Sequence, residues 1–243
     1  MSGADAEAPL VALPTALASL LDALGALTAP DLPDVAVVGG IAVNIRLATS
    51  STAHRATSDI DVVAHAELPT ALEVLSRDAR LAGVQLDVIE TQPITDDELD
   101  GFDDGNKLFL AGHRWALDTA APVRLAAGGS TVTVPVATAA GLIAAKSHAL
   151  GYGRPQRRAT KRGGDLYDVF RLLEVFDARG SVAAELAAAP CELGRLVAGV
   201  VRAEVLASPA RTARDMVDAG GAVTVERLLD VFEPFVDALP SNA

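Results

Sequence analysis

The residue types best suited to chemistry are two aspartates at alternate positions, Asp59 and Asp61 of SDIDVVAH, and a glycine pair, Gly39 and Gly40, ending the apolar run VAVV. Side chains at i and i+2 of a strand point the same way, with Cβ atoms about 7 Å apart. Two such carboxylates can share one Mg²⁺ or hold two ions ~4 Å apart. A glycine turn that opens a helix lets the main chain approach a phosphate closely, and the free N–H groups of the helix N-terminus favour an anion. A phosphate cradle beside paired carboxylates is what phosphoryl or nucleotidyl transfer requires, because Mg²⁺ offsets the triphosphate charge and activates the attacking hydroxyl. Each half alone has an ordinary reading, a tight turn or a solvated strand end. Together, in this order and within about twenty residues, they point to that chemistry. The glycines fit neither G-x-x-x-x-G-K-[ST] nor G-x-G-x-x-G, so a P-loop and a dinucleotide fold are unsupported.

Other candidates follow along the chain. Lys146 lies four residues after Leu142 and four before Leu150, on or beside the apolar stripe of a helix. A lysine there must snorkel to water or meet an anion. Asp165 and Asp168 stand three apart on a later helix whose inward face is Leu166, Val169, Phe170 and Leu173. With Arg171 they are expected on its opposite, solvated face, where Asp165 can pair with Lys161 one turn earlier. In VQLDVIE, Asp87 alternates away from Leu86 and Val88 and is a candidate third carboxylate or base; Asp118 competes for that place. Arg154, Arg157, Arg158, Lys161 and Arg162 form the one basic cluster of an acidic chain, either a solvated loop or a clamp for a triphosphate or an RNA backbone. Arg55 can reach a phosphate, and Ser58 either holds one or finishes the loop before Asp59. His54, His65, His113 and His148 lack metal-ligand spacing and read as structural.

These residues need elements to position them. Leucines at 17, 20, 21, 24 and 27 predict a helix over 13–28. VAVV predicts a buried strand turning into the short helix IAVNIRLA. DIDVVAH is a strand with Asp59 and Asp61 on one face and Ile60 and Val62 on the other. A helix is expected over 69–81, a strand at VQLDVIE and a loop at TDDELDGFDDGN. KLFLAGHRWAL, APVRLA and STVTVPVA read as further strands, mostly antiparallel. From residue 136 the spacing turns helical. The expected domains are therefore 1–135, an α/β core with an N-terminal helix, and 136–243, a helical C-terminal domain carrying Lys146 and the basic loop.

Composition limits the class. The chain has 243 residues, half of them hydrophobic, enough for one large domain or two small ones and inconsistent with disorder. Twenty basic against 32 acidic residues give a net charge of −12, which opposes a generic nucleic-acid coat. Aromatics, at 4%, offer no obvious base-stacking platform. The single cysteine, Cys191, excludes an intramolecular disulfide framework and a multi-cysteine zinc site. No apolar run reaches the ~20 residues of a membrane span, and the first residues lack a basic secretory n-region. The expected location is cytoplasmic, with no membrane partner.

The pattern GG, a loop, then R-x-T-S-D-I-D resembles the signature of the nucleotidyltransferase superfamily related to DNA polymerase β. It is most similar to the AbiEii/AbiGii type, which includes the MenT toxins. That type adds a lysine on a downstream helix and a later aspartate, matched here by Lys146 in ATAAGLIAAKSHAL and by Asp165 or Asp168 in KRGGDLYDVFRLL; the match spans residues 35–175. The resemblance implies a polymerase-β-like α/β core with a mixed sheet, followed by a helical C-terminal domain, with a cleft between them. It implies an Mg²⁺-dependent transfer of NMP from an NTP to a hydroxyl, with Asp59 and Asp61 as metal ligands and Asp87 as base. Gly39, Gly40, Arg55, Ser58, Lys146, Arg157, Arg158 and Lys161 would hold the triphosphate, and Asp168 would support the lysine or the acceptor. It also implies a tRNA 3′ end as acceptor and an antitoxin as partner. Two alternatives stand beside this: transfer to a small, antibiotic-like hydroxyl compound, which the acidic charge favours, and a non-catalytic nucleotide-binding protein on the same scaffold.

Overall fold

A computed structural model describes residues 8–13, 20–28, 34–48, 59–65, 83–153 and 159–241. The chain divides into two compact units. One comprises Met1–Glu90 and Ala120–Ala137; the other comprises Thr91–Thr119 and Thr138–Ala243. The expected change of character near residue 135 falls at this second boundary. The segment 91–119 departs from the expected division: it leaves the sheet unit, joins the helical unit, and the chain returns for two more strands.

The first unit is a six-stranded mixed sheet in the order β1-β5-β6-β2-β3-β4. Its strands are β1 (Leu10–Ala12), β2 (Val35–Val38), β3 (Asp59–His65), β4 (Gln85–Thr91), β5 (Ala121–Ala127) and β6 (Ser130–Val136). β2 runs antiparallel to β3 and parallel to β6; β5 and β6 form an antiparallel hairpin. Every residue of β2 is buried, which explains its unbroken β-branched composition: a central strand covered on both faces has no polar side to show. Helices α1 (Leu21–Ala26) and α2 (Gly39–Leu47) supply cover, burying Leu21, Leu24, Ile41, Val43, Ile45 and Leu47. Arg46 of α2 donates from Nε to the Ala137 carbonyl at 2.8 Å and from Nη2 to that of Val136, which caps the end of β6 where its ladder stops. The short β1, paired in parallel with β5, is an element the sequence reading did not anticipate. The helix expected over 69–81 and residues 14–19 of the first expected helix lie outside the described residues.

The second unit is helical: α3 (Asp96–Leu99), α4 (Asp104–Asp118), α5 (Ala139–Gly151), α6 (Ala159–Phe176), α7 (Ser181–Ala187), α8 (Leu193–Val201), α9 (Pro209–Asp218) and α10 (Val225–Asp237). α4 overturns the strand expected at KLFLAGHRWAL. Asp103 caps the helix, accepting from the Asn106 N–H at 2.9 Å and from the Asn106 amide at 3.0 Å. Leu108, Ala111, Gly112 and Ala116 are buried, and Gly112 and Ala116 form the stripe that meets α5. That stripe must be small. Gly141 lies so close to α4 that a Cβ there would sit 2.9 Å from the Ala116 Cα. Asp103→Ala is expected to cost about 1 kcal/mol, read as a lower midpoint in urea unfolding with an unchanged slope.

A five-residue π-turn, Arg202–Leu206, follows α8. Such a turn strands main-chain carbonyls. Arg162 answers it, donating to the Glu204 carbonyl at 2.9 Å and pairing with the Glu204 and Asp215 carboxylates at 2.8 and 2.7 Å. The Thr212 hydroxyl adds bonds to the carbonyls of Glu204 and Val205. Arg162 is therefore a structural tie holding the start of α6, and it leaves the phosphate-clamp set expected from the basic loop.

Candidate active site

In the sheet unit, pairing register brings the glycine turn and the aspartates together. Val38, the last residue of β2, lies opposite Asp61. Asp59, two residues earlier on an antiparallel neighbour, therefore overruns the end of β2 on the side where Gly39 and Gly40 begin α2. Both aspartates are half-buried, and Ile60 and Val62 between and beyond them are fully buried, so the expected division of faces holds. Gly39 has φ +69°, the left-handed region that side chains avoid. A Cβ at this position would overlap the Asp61 carboxylate and come within 2.9 Å of its Cβ. The carboxylate is thus seated against the first turn of a nine-residue helix, and only glycine leaves room for it.

Among the described residues no three His, Cys, Asp or Glu side chains gather as metal ligands. Asp87 is exposed on β4, its carboxylate accepting from Gln85 Nε2 at 3.2 and 3.3 Å, and does not join the pair as a third ligand. Asp118 lies at the end of α4 in the helical unit, ion-paired to Arg114 at 2.7 Å, rather than on a strand. Two carboxylates still fit Mg²⁺, an ion commonly held by one or two protein carboxylates with substrate phosphates and water completing its shell. Arg55, Ser58, Arg154, Arg157, Arg158 and His54 lie outside the described residues; Lys161 is described and exposed.

In the helical unit, Lys146 of α5 is 7% exposed and meets two anions on α6: Asp165 Oδ1 at 2.8 Å and Asp168 Oδ2 at 2.9 Å. Asp168 and Arg171 are each 1% exposed. The solvated charged face expected for α6 is corrected: Asp165, Asp168 and Arg171 are core residues, and Asp165 pairs with Lys146. Burial alone would push the Lys146 ammonium down, but the charges of Asp168 and Asp165 outweigh it and hold its pKa above the ordinary lysine range. Lys146 is therefore a fixed cation in a network that sequence reasoning saw only in part. The guanidinium of Arg171, a second buried positive charge on α6, sits over the Tyr167 ring, 5.6 Å from its centroid. The buried His113 ring bonds from Nδ1 to the Phe109 carbonyl at 2.7 Å, and desolvation lowers its pKa. Among the described residues, no helix is long and apolar enough to cross a membrane. Compared with known proteins, the chain matches no protein-family model and no curated sequence.

Proposed function

We propose that this chain is an Mg²⁺-dependent nucleotidyltransferase that moves NMP from an NTP to a hydroxyl acceptor. One observation carries the reading: the Asp61 carboxylate is packed against the glycine turn that opens α2, so the acid pair and a helix N-terminus of the kind that favours anions share one place. Asp59 and Asp61 would hold the metal, which supplies charge neutralisation of the triphosphate and a more acidic acceptor hydroxyl. Gly39 and Gly40 offer N–H groups to phosphate oxygens. Asp87 is the candidate base, and Lys146, held by Asp165 and Asp168, is the candidate fixed cation of the helical unit. Resemblance to AbiEii/AbiGii-type enzymes favours a tRNA 3′ end as acceptor and an antitoxin as partner. The net charge of −12 instead favours a small hydroxyl compound.

The test is incubation with each α-labelled NTP, Mg²⁺ and total tRNA or a panel of small alcohols. Label should move to one acceptor class and fall by roughly 10²–10³-fold in Asp59→Asn. Nucleotide binding by calorimetry without Mg²⁺, with no pyrophosphate released on any acceptor, would instead identify a non-catalytic nucleotide-binding protein.

A further inference from the structure

The glycine turn opens a short helix, and part of the grip on that helix comes from a residue outside the proposed metal and phosphate set. β2 has β3 on one side and β6 on the other, each about 4.8 Å away. On the β3 side, the Asp61 carboxylate sits against Gly39. On the β6 side, Val136 pairs with Val37, and the Ala137 N–H donates to the Val37 carbonyl at 3.0 Å. Arg46, in the last turn of α2, reaches that same place. Its Nε donates to the Ala137 carbonyl at 2.8 Å and its Nη2 to the Val136 carbonyl. α2 is thus engaged with both strands that flank the one it springs from.

The fork adds what the apolar face of α2 lacks. Ile41, Ala42, Val43, Ile45 and Leu47 are buried, but apolar burial is non-directional. The N-cap residue is Val38, whose side chain makes no capping bond to fix the first turn. Two directed bonds from one planar guanidinium to successive carbonyls set both the height and the rotation of α2 over the end of β6. The lever is short but sensitive. At 1.5 Å per residue, Gly39 lies about 10 Å along the helix from Arg46, so a tilt of about 5° displaces it by about 1 Å. Displacements of that size are enough to cost a reaction up to ~10²-fold.

We infer that Arg46 is a positioning residue for nucleotide transfer: by tying α2 to the end of β6 it keeps the Gly39–Gly40 main chain in register with Asp59 and Asp61. It acts through the helix and not by contact with metal or nucleotide. The inference rests on the transferase reading above.

The test compares full-length Arg46→Met, Arg46→Lys and Arg162→Met. Arg162→Met is the control, because Arg162 is a structural tie of the helical unit. Expected in Arg46→Met is a KM for the NTP about tenfold higher, with the KM for the acceptor unchanged. Arg46→Lys, which keeps a donor for these carbonyls, should recover part of the change and carries both measurements if Arg46→Met does not fold. An arginine that merely stabilised the fold would lower the unfolding temperature and the active fraction, hence kcat, and leave the KM for the NTP alone, as expected of Arg162→Met. Hydrogen exchange supplies a readout that needs no turnover. Amides of residues 39–47 should exchange several-fold faster in Arg46→Met, and those of α10 at the wild-type rate. An NTP KM equal to wild type in both Arg46 variants, or unchanged exchange over 39–47, overturns the inference. Wild-type protein that transfers label to no acceptor sinks the transferase reading instead, and exchange still decides whether Arg46 holds α2.

Discussion

Lys146→Met is expected to destabilise the helical unit by about 3–5 kcal/mol, a large share of the ~5–15 kcal/mol that holds a typical domain. Methionine fills nearly the same volume, so the loss is electrostatic. Two carboxylates, 7% and 1% exposed, would lose the ammonium that pairs with both. Charge balance sets the order of the variants. Asp165→Asn leaves Lys146 with Asp168 and should cost less than Lys146→Met. The double variant Lys146→Met/Asp165→Asn leaves one buried acid and one buried base, and should recover part of the single variant's loss. Urea unfolding of the three proteins checks this order, and a double variant weaker than Lys146→Met would refute the charge-balance account. The pH dependence has a fixed sign. The folded pKa of Lys146 lies above its unfolded value of 10.5, so its contribution is whole below that pH and fades as pH rises through the folded value. The stability difference between wild type and Lys146→Met should stay flat from pH 7 to about pH 10 and shrink only above it.

What the residues revealed in advance, and what they hid, follows from how local each signal is. β2, α2 and β3 were legible because each is set by its own residues: an unbroken β-branched run, a glycine pair, an alternation of acid and aliphatic. The meeting of Gly39 with Asp61 follows from those elements once β2 and β3 pair. α4 was misread because phenylalanine and tryptophan favour strands, although its leucines favour a helix. The deciding features were the Asp103 cap and the small residues that let α5 approach, and the second is a tertiary fact. The burial of Asp165, Asp168 and Arg171 did leave one sign in the chain. At 100° per residue, Leu172 falls between Asp165 and Asp168 on the wheel, so the supposed solvated face already carried a leucine, which is fully buried. Arg162 was unreadable as a tie, because its partners lie 42 residues away in a π-turn that no local pattern announces and 53 residues away on α9.

Gly39→Ala should abolish nucleotide transfer and lower stability more than its backbone conformation alone accounts for. Alanine at φ +69° costs about 1–2 kcal/mol. The added methyl would also overlap the Asp61 carboxylate, so Asp61 must turn away or α2 must shift. Either response moves a proposed metal ligand away from the glycine turn proposed to hold phosphate. Gly128→Ala is the control: Gly128, in the β5–β6 hairpin of the same unit, has φ +58° and no neighbour within 4 Å of the added atom. It carries the backbone cost without the clash, so it should lose a similar 1–2 kcal/mol while its NTP labelling stays at wild-type level. The excess loss in Gly39→Ala measures the clash, and it should shrink when Asp61 is also alanine, because the overlapping carboxylate is then gone. Equal losses in the two glycine variants, with labelling retained in both, would mean that the turn and the acid pair do not act together.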